Sequence, residues 1–342
     1  MKRVFLLTAA FVTLVLASCN NQKHDQAPTL ITDSKTLLQL MPDPPANFRA
    51  APLWDWNDKI TREGIAFQMK KFKEGGIGGV FILPRPGLVT NYLSQDWHEL
   101  FQYTVTIAKE LNMKVWIYDE NSYPSGFAGG HVPARFPDSY RNGTALDLKI
   151  TQNLKDIVDL PVEVLLKQSV KPGHLQDKPT YYVFYRTIPK PSYWYGGFNY
   201  VDLLYPGVTD TFMKITMEGY EKYNKPDFGK TLMGIFTDEP NLEAVKNPRS
   251  AIRWTPDLFE QFEARWGYRL EPELISLVEE TDNYLTVRHD YYTLLLELFL
   301  DRWAVPWNQY CEKNNLDWTG HYWEHGWPYP SEGIAESAFY MY

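Results

Sequence analysis

The chain has 342 residues, of which 44% are hydrophobic and 15% aromatic, and its formal net charge is −8 at pH 7. This length and apolar content allow one large domain or two smaller ones. The acidic balance argues against nucleic-acid binding, because phosphates call for a basic surface, and it leaves a neutral ligand open. The 12 Trp and 23 Tyr fit either a large aromatic core or a cleft whose flat rings stack on sugars.

The N-terminus has the pattern of a bacterial lipoprotein signal. A basic pair precedes an apolar run over residues 4–16, which is shorter than a membrane span and is followed by Ala-Ser and Cys19. This pattern predicts a signal peptide over residues 1–18, lipidation of Cys19 and a tether over residues 19–45; a plain secretory signal is the alternative. Because Asn20 replaces the aspartate that retains such proteins in the inner membrane, we expect a lipid anchor in the outer membrane, facing the periplasm or the cell surface.

Strands and helices alternate from residue 51 onwards. Apolar runs bounded by turn residues predict six strands, and amphipathic segments that begin at Ser or Thr predict helices between them. The predicted strands cover residues 51–56, 78–83, 113–118, 200–205, 231–236 and 316–321. The predicted helices cover residues 34–40, 61–74, 94–112, 209–223, 256–266, 271–280 and 282–314. Such alternation is typical of βαβ units and a parallel sheet.

Residues 144–198 interrupt this alternation. Here stretches of alternating polar and apolar residues, such as 145–150 and 181–187, lie between turns rich in Pro, Lys and Asp, which predicts a small β insertion. The predicted fold class is therefore α/β, with a (β/α)8 TIM-barrel-like catalytic domain over residues 46–342 that carries this insertion. Six strands are too few to close an eight-stranded barrel, so we expect an incomplete barrel, a truncated product or a sheet that another chain completes.

The candidate site lies at the strand ends, because (β/α) barrels place their catalytic groups there. The strand in GIFTDEP (residues 234–240) ends in two adjacent acids, and a further acid follows the last predicted strand. Glycoside hydrolysis needs two carboxyl groups on opposite sides of the scissile bond, and we predict Glu239 and Glu324 as this catalytic pair. The predicted substrate-binding residues, three of which are reserve acids, are Trp54, Trp56, Arg85, Tyr118, Asp119, Glu120, Asn121, Asp202, Asp238, His321 and Trp323.

Each of these groups also has a structural interpretation. Acids at strand ends are often solvated or cap a helix, and Arg85 can pair with a carboxylate of the barrel. His321 and His325 are metal-ligand residue types, but no HExxH spacing is present. We therefore predict no required cofactor and no metal site, with a bound calcium ion as the open alternative. The run SGFAGG (residues 125–130) lacks the lysine of a P-loop, and its glycines are expected to let the backbone pass close to a ligand.

Five segments resemble one family of enzymes. PLWDWND, QMKKFKEGGIGGVFI, WIYDENSYPSGFAGG, GIFTDEP and TGHYWEHGWP occur in this order from residue 52 onwards. Together they resemble the large bacterial glycosidases of the α-L-rhamnosidase group, glycoside hydrolase family 106. The resemblance implies a (β/α) barrel, a glutamate acid/base pair at Glu239 and Glu324, an inverting mechanism and plant-polysaccharide substrates. Those enzymes are far longer, with the rest of the barrel and β-sandwich domains following.

We expect a lipid-anchored glycoside hydrolase that removes a terminal α-L-rhamnosyl or related sugar from a complex glycan, with an activity that depends on how complete the barrel is. The alternative is a non-catalytic surface glycan-binding lipoprotein that kept the aromatic residues, and a third interpretation is a scaffold or half-enzyme completed by a partner. Two glutamates at separate strand ends favour the enzyme, since a binding protein has no need for them.

Overall fold

The computed structural model describes residues 31–321 of the chain, with gaps. The residues left out of this range are 32, 154, 159–163, 171–178, 189, 241 and 243–251. The sequence predictions that lie outside the described residues are the signal peptide, lipidation of Cys19, the histidine at position 325, Trp323 and the catalytic role of Glu324.

The chain divides into two compact units, residues 1–49 and residues 50–342. In the first unit, helix α1 covers Ser34–Leu40, as the sequence predicts. It begins at Asp33, whose carboxylate accepts a hydrogen bond from Thr36 N at 2.8 Å and so satisfies one of the unpaired N–H groups at the helix start. No helix in the described part of the chain is long and apolar enough to cross a membrane.

The second unit contains the strands and the remaining helices. Its strands are β1 (Leu53–Trp56), β2 (Gly79–Pro84), β3 (Lys114–Tyr118), β4 (Ala145–Thr151), β5 (Val164–Val170), β6 (Thr180–Thr187), β7 (Leu232–Asp238), β8 (Ile252–Arg253) and β9 (Asp317–His321). Its α-helices are α2 (Arg62–Glu74), α3 (Gln95–Glu110), α4 (His131–Arg135), α5 (Asp138–Arg141), α6 (Lys155–Val158), α7 (Val208–Asn224), α8 (Leu258–Trp266), α9 (Tyr284–Phe299) and α10 (Val305–Asn314).

Five strands form a parallel sheet in the order β1-β2-β3-β7-β9. Each strand lies beside the next strand of this sheet along the chain, so every crossover moves in the same direction. A (β/α) barrel has this strand order, whereas a doubly wound sheet reverses direction. The described residues form no closed barrel, so the structure supports an α/β domain that is barrel-like.

The fourth strand that the sequence predicts, over residues 200–205, is irregular and ends in turns. Leu204 N donates to the Asp202 carboxylate at 2.9 Å, and Tyr205 N donates to Asp202 O at 3.0 Å. An aspartate that binds the backbone two residues further on closes a turn and competes with strand pairing. The sequence predicts six strands in the parallel sheet, whereas the described part of the chain forms five.

The parallel sheet buries apolar side chains on both faces. The face that packs into the main core with the helices carries Trp54, Trp56, Val80, Ile82, Val115, Ile117 and Ile235. On the opposite face, Leu83, Tyr118 and Phe236 form a separate small cluster. This arrangement explains why the strands appear in the sequence as continuous apolar runs instead of alternating ones.

Helices α2 and α3 begin where the sequence predicts. Thr61 Oγ1 accepts a hydrogen bond from Gly64 N at 3.1 Å, and Ser94 Oγ accepts one from Trp97 N at 3.2 Å. Both hydroxyls satisfy N–H groups that the first helical turn leaves unpaired. Helix α3 buries Trp97 and Phe101 completely, and it packs against α2 and α7.

The segment predicted as a β insertion contributes to a second sheet. Its strands pair antiparallel in the order β5-β6-β4-β8. Strands β4, β5 and β6 lie within residues 144–198. Strand β8 comes from a later part of the chain and pairs with the start of β4 through Ala145 and Arg253. No pattern in the sequence predicts this fourth strand.

The helix predicted over residues 282–314 consists of α9 and α10, joined by a π-helical turn over Leu300–Ala304. Pro306 lies in the first turn of α10 and has no N–H to donate to the preceding turn. The wider turn absorbs this missing hydrogen bond and keeps the two helices continuous. The helix predicted over residues 271–280 is instead a 3₁₀ helix over Glu271–Leu277.

The contact between α3 and α7 depends on a glycine. A Cβ atom at Gly219 of α7 would overlap the imidazole ring of His98 on α3. That ring is buried, and its centroid lies 5.1 Å from the ring of Tyr220 and 5.6 Å from that of Tyr223. Packing therefore favours glycine here, although glycine is a poor helix former.

We expect Gly219→Ala to lower the free energy of unfolding by about 1 kcal/mol, because overpacking costs about 1–3 kcal/mol and outweighs a gain in helix propensity of about 1 kcal/mol. Urea unfolding measures the change. Lys214→Ala, at an exposed position of the same helix, should change the free energy by less than about 0.5 kcal/mol. The Gly219→Ala penalty should vanish in a His98→Ala background; an equal penalty there would contradict the overlap.

Candidate active site

The ends of β7 and β9 bring three titratable side chains together. Asp238 of β7 is in register with His321 of β9, and Glu239 directly follows β7. One ligand atom from each of these three residues lies within 4.8 Å of the other two, and His321 Nδ1 lies 3.4 Å from Asp238 Oδ1. Asp238 and Glu239 are only 8% and 6% exposed, so water has little access to the two acids. We call these three residues the strand-end cluster.

The strand-end cluster combines groups suited to two kinds of chemistry. Its carboxyl groups and imidazole can donate or accept protons. The same atoms can hold a divalent cation, and the imidazole nitrogen suits zinc or manganese better than calcium, which takes oxygen ligands.

The backbone turns sharply at Glu239. Its φ of 45° lies in the left-handed region, which a residue with a Cβ adopts at an energetic cost. Glu239 N donates to His321 O at 2.9 Å and extends the β7–β9 ladder by one bond. Pro240 follows and has no N–H to continue that ladder. The sequence DEP therefore ends the strand and leaves the glutamate at the edge of the sheet.

Tyr118, predicted to bind sugar, is fully buried at the end of β3. Its hydroxyl donates to Asp238 Oδ2, and its ring stacks on Phe236 with the ring centroids 5.6 Å apart. Burial raises the pKa of this phenol well above its ordinary value, and the neighbouring Asp238 raises it further. The geometry favours a role in orienting Asp238.

Asp119 is also fully buried, and its carboxylate joins two segments. Oδ1 accepts a hydrogen bond from Ser125 Oγ at 2.5 Å, and Oδ2 accepts one from Thr237 Oγ1 at 2.8 Å. Burial raises the pKa of Asp119 to about 7. Its carboxylate is engaged with these two hydroxyls within the fold, next to the strand-end cluster.

Backbone amides surround the carboxylate of Glu120. Its Oε2 accepts hydrogen bonds from the amides of residues 126–128, at 3.1, 2.9 and 2.7 Å. Its Oε1 accepts from Gly129 N at 2.6 Å and from Asn121 N at 2.8 Å. Burial raises the pKa of Glu120, while these amides act in the opposite direction. Five donors use all the acceptor positions of a carboxylate, which favours a structural role for Glu120 over the predicted sugar contact.

The same hydrogen bonds explain the glycine-rich run SGFAGG. Gly126 and Gly129 have φ values of 136° and 61°, which glycine adopts without strain, and these values let the amides of residues 126–129 converge on Glu120. The half-buried Asn121 lies beside Gly129, because a Cβ on that glycine would be 3.2 Å from Asn121 Cβ. The run therefore encloses a carboxylate of the protein itself, which replaces the ligand expected from the sequence.

The structure does not place Trp54 and Trp56 at the sheet edge beside the acids. Side chains alternate along β1, and these two face the helices: Trp54 packs 5.4 Å from Phe72 of α2, and Trp56 packs 5.1 Å from Trp97 of α3. Both line a cavity of about 270 Å³ between β1 and the start of α2. These contacts do not support a role for the two indoles in holding a sugar beside the acids, and the two-residue alternation of LWDW places both on the same face of β1.

Arg85 lies at a rim with two aromatic residues that the sequence analysis missed. Its guanidinium carbon is 5.5 Å from the centroid of Tyr123. Trp194, which is 41% exposed, packs against Tyr123 at 5.4 Å between ring centroids and donates its indole N–H to Tyr123 O. This aromatic rim, comprising Arg85, Tyr123 and Trp194, adjoins the strand ends because Ser122 O lies 2.7 Å from the Tyr118 hydroxyl oxygen. The short YWY segment that carries Trp194 was hidden within the predicted insertion.

Asp202, a predicted substrate-binding residue, lies in a different environment. Its N donates to Ser139 O at 2.7 Å and its Oδ1 accepts from Leu204 N. Burial raises its pKa to about 7. These contacts place Asp202 in the turns before α7, and the hydrogen bonds among the described residues do not join it to the strand-end cluster.

The fold is similar to that of a known enzyme. A structure described as "Structure of Rhamnosidase from Novosphingobium sp. PP1Y" matches with a TM-score of 0.55 at 14% sequence identity, covering 83% of this chain and 47% of that chain. The chain thus spans about half the length of this rhamnosidase. At such low identity the match shows a shared fold. No protein-family model matches the chain, and no curated protein matches it in sequence.

Proposed function

We propose that the chain is a glycoside hydrolase that removes a terminal α-L-rhamnosyl or related sugar from a complex glycan. The strand-end cluster carries this proposal, because it places the buried acids Asp238 and Glu239 where (β/α) enzymes hold their catalytic groups. The rhamnosidase-like fold supports the same class of reaction. The lipid anchor on Cys19 and the outer-membrane location are supported by the N-terminal sequence pattern alone.

In the proposed mechanism Glu239 is the general acid. It gives its proton to the glycosidic oxygen as the bond from that oxygen to the anomeric carbon breaks, and the remaining glycan leaves as an alcohol. Glu324, as general base, removes a proton from a water molecule that attacks the anomeric carbon from the opposite face. The sugar is released with inverted configuration, which requires the two carboxyl groups to be about 6.5–9.5 Å apart. Asp238, held by Tyr118, is proposed to contact sugar hydroxyls.

Replacing Glu239 tests the proposed acid. Glu239→Gln keeps the side-chain shape but has no acidic proton, so we expect turnover of an aryl α-L-rhamnoside and of plant glycans to fall by about 10²–10⁴-fold. Glu110→Gln, an exposed change on α3, should keep wild-type turnover. Wild-type rates in Glu239→Gln would exclude this residue as the acid.

Non-catalytic glycan binding is the second candidate function, and the aromatic rim favours it. An exposed indole beside a guanidinium offers a stacking surface and hydrogen-bond donors to a pyranose. A wild-type chain that binds glycans without turning them over, and that loses this affinity in Trp194→Ala, would establish the binding protein in place of the enzyme.

The two-carboxylate mechanism requires no cofactor. The strand-end cluster is where a cation would bind, and a calcium ion there would be secondary to catalysis. We expect turnover to remain within about twofold of its initial value after EDTA treatment, because proton transfer by Glu239 supplies the acid catalysis. Loss of turnover that CaCl₂, ZnCl₂ or MnCl₂ restores would show that the cluster is a catalytic metal site.

A further inference from the structure

Ser125 takes the place of a β3 residue beside the end of β7. The regular ladder between the two strands ends where Asp119 N donates to Phe236 O at 3.1 Å. Beyond that point the loop after β3 returns, and Ser125 N donates to Asp238 O at 2.7 Å. In the opposite direction, Asp238 N donates to Ser125 Oγ at 2.8 Å. One serine thus supplies both the donor and the acceptor that a further strand residue would have supplied.

A buried aspartate fixes the hydroxyl of this serine. Ser125 Oγ donates to Asp119 Oδ1 at 2.5 Å, and the other oxygen of Asp119 accepts from Thr237 Oγ1 at 2.8 Å. Thr237 Oγ1 in turn accepts from Trp318 Nε1 of β9 at 2.8 Å. Asp119 and Ser125 have no exposed surface, and Thr237 is 2% exposed. We call Asp119, Ser125 and Thr237 the clamp.

We propose that the clamp residues are positioning residues that fix the backbone of Asp238 and Glu239 for catalysis. The inference rests on the proposed glycosidase function of the strand-end cluster. Glu239 has its strained φ of 45° directly after Asp238, whose backbone N–H and C=O are bound by Ser125. Such a conformation persists only where surrounding contacts hold the backbone in place. The clamp does so by tying the backbone N–H and C=O of Asp238, and the side chain of Thr237, to the loop after β3.

Thr237→Val and Thr237→Ser test the clamp through activity. Valine has the shape of threonine without the hydroxyl, whereas serine keeps the hydrogen bond to Asp119. We expect Thr237→Val to lower kcat by about 10- to 100-fold with KM within about threefold, since small displacements of catalytic groups have effects of this size. Thr237→Ser should retain a kcat close to that of the wild type.

Thr216→Val is the matched control. Thr216 is equally buried, and its Oγ1 donates to Phe212 O at 2.9 Å within α7. It should lose one buried hydrogen bond and keep kcat, which separates positioning from general loss of stability. A wild-type kcat in Thr237→Val, or an equal loss of kcat in Thr216→Val, would overturn the proposal.

Hydrogen exchange tests the clamp without any activity. In Ser125→Ala the Asp238 amide loses its acceptor, so we expect this amide to exchange at least about tenfold faster than in the wild type. The Asp119 amide, which donates to Phe236 O, serves as the internal control.

If the wild type turns over no glycoside, the proposed function fails, while this measurement still tests the clamp. Faster exchange at the Asp238 amide, with unchanged exchange at the Asp119 amide, supports the clamp. An unchanged exchange rate of the Asp238 amide overturns the clamp. If Ser125→Ala does not fold, the exchange rate of the Asp238 amide is measured in Thr237→Val instead, with the same two outcomes.

Discussion

The parallel pairing of β3 with β7 is the contact on which the candidate site depends. It joins two segments about 120 residues apart in sequence, and it sets Tyr118 opposite Phe236 in register. The polar contacts between the end of β3 and the end of β7 follow from this register, including the Tyr118 hydroxyl on Asp238 and the Thr237 hydroxyl on Asp119. A slip of one residue would turn Asp238 towards the helices and Thr237 towards the cleft.

Buried carboxylates at the end of β3 have different roles, although they are adjacent in the sequence. Glu120 is surrounded by backbone amides of the glycine-rich loop, and Asp119 is held by two hydroxyls. Because these acids are engaged within the fold, they organise the loop and the end of β7. We propose the acids of the strand-end cluster, Asp238 and Glu239, for the substrate chemistry. In the proposed site, the groups that hold the geometry are separate from the groups that react.

The sequence predicted the parts of the fold that depend on local physics. Caps at Thr61 and Ser94 and the apolar runs of the parallel strands predicted helix starts and strand positions within a few residues. The predictions that differ from the structure involve side chains that hydrogen-bond to backbone groups, either away from their own strand or within a turn. Asp202 closes a turn in an apolar run that looks like a strand, and Glu120 gathers amides that resemble a ligand-binding loop. Nothing in the local sequence distinguishes an acid that binds backbone from one that binds substrate, whereas the alternation in LWDW could have placed Trp54 and Trp56 on the helix side.

The most direct test of this account is a crystal structure of the wild-type chain soaked with L-rhamnose at a concentration that saturates binding in calorimetry. We predict a sugar at the ends of β7 and β9, with a hydroxyl within about 3 Å of a carboxylate oxygen of Asp238 or Glu239. A sugar bound elsewhere, with the strand-end cluster empty, would contradict the assignment of this edge of the sheet as the active site.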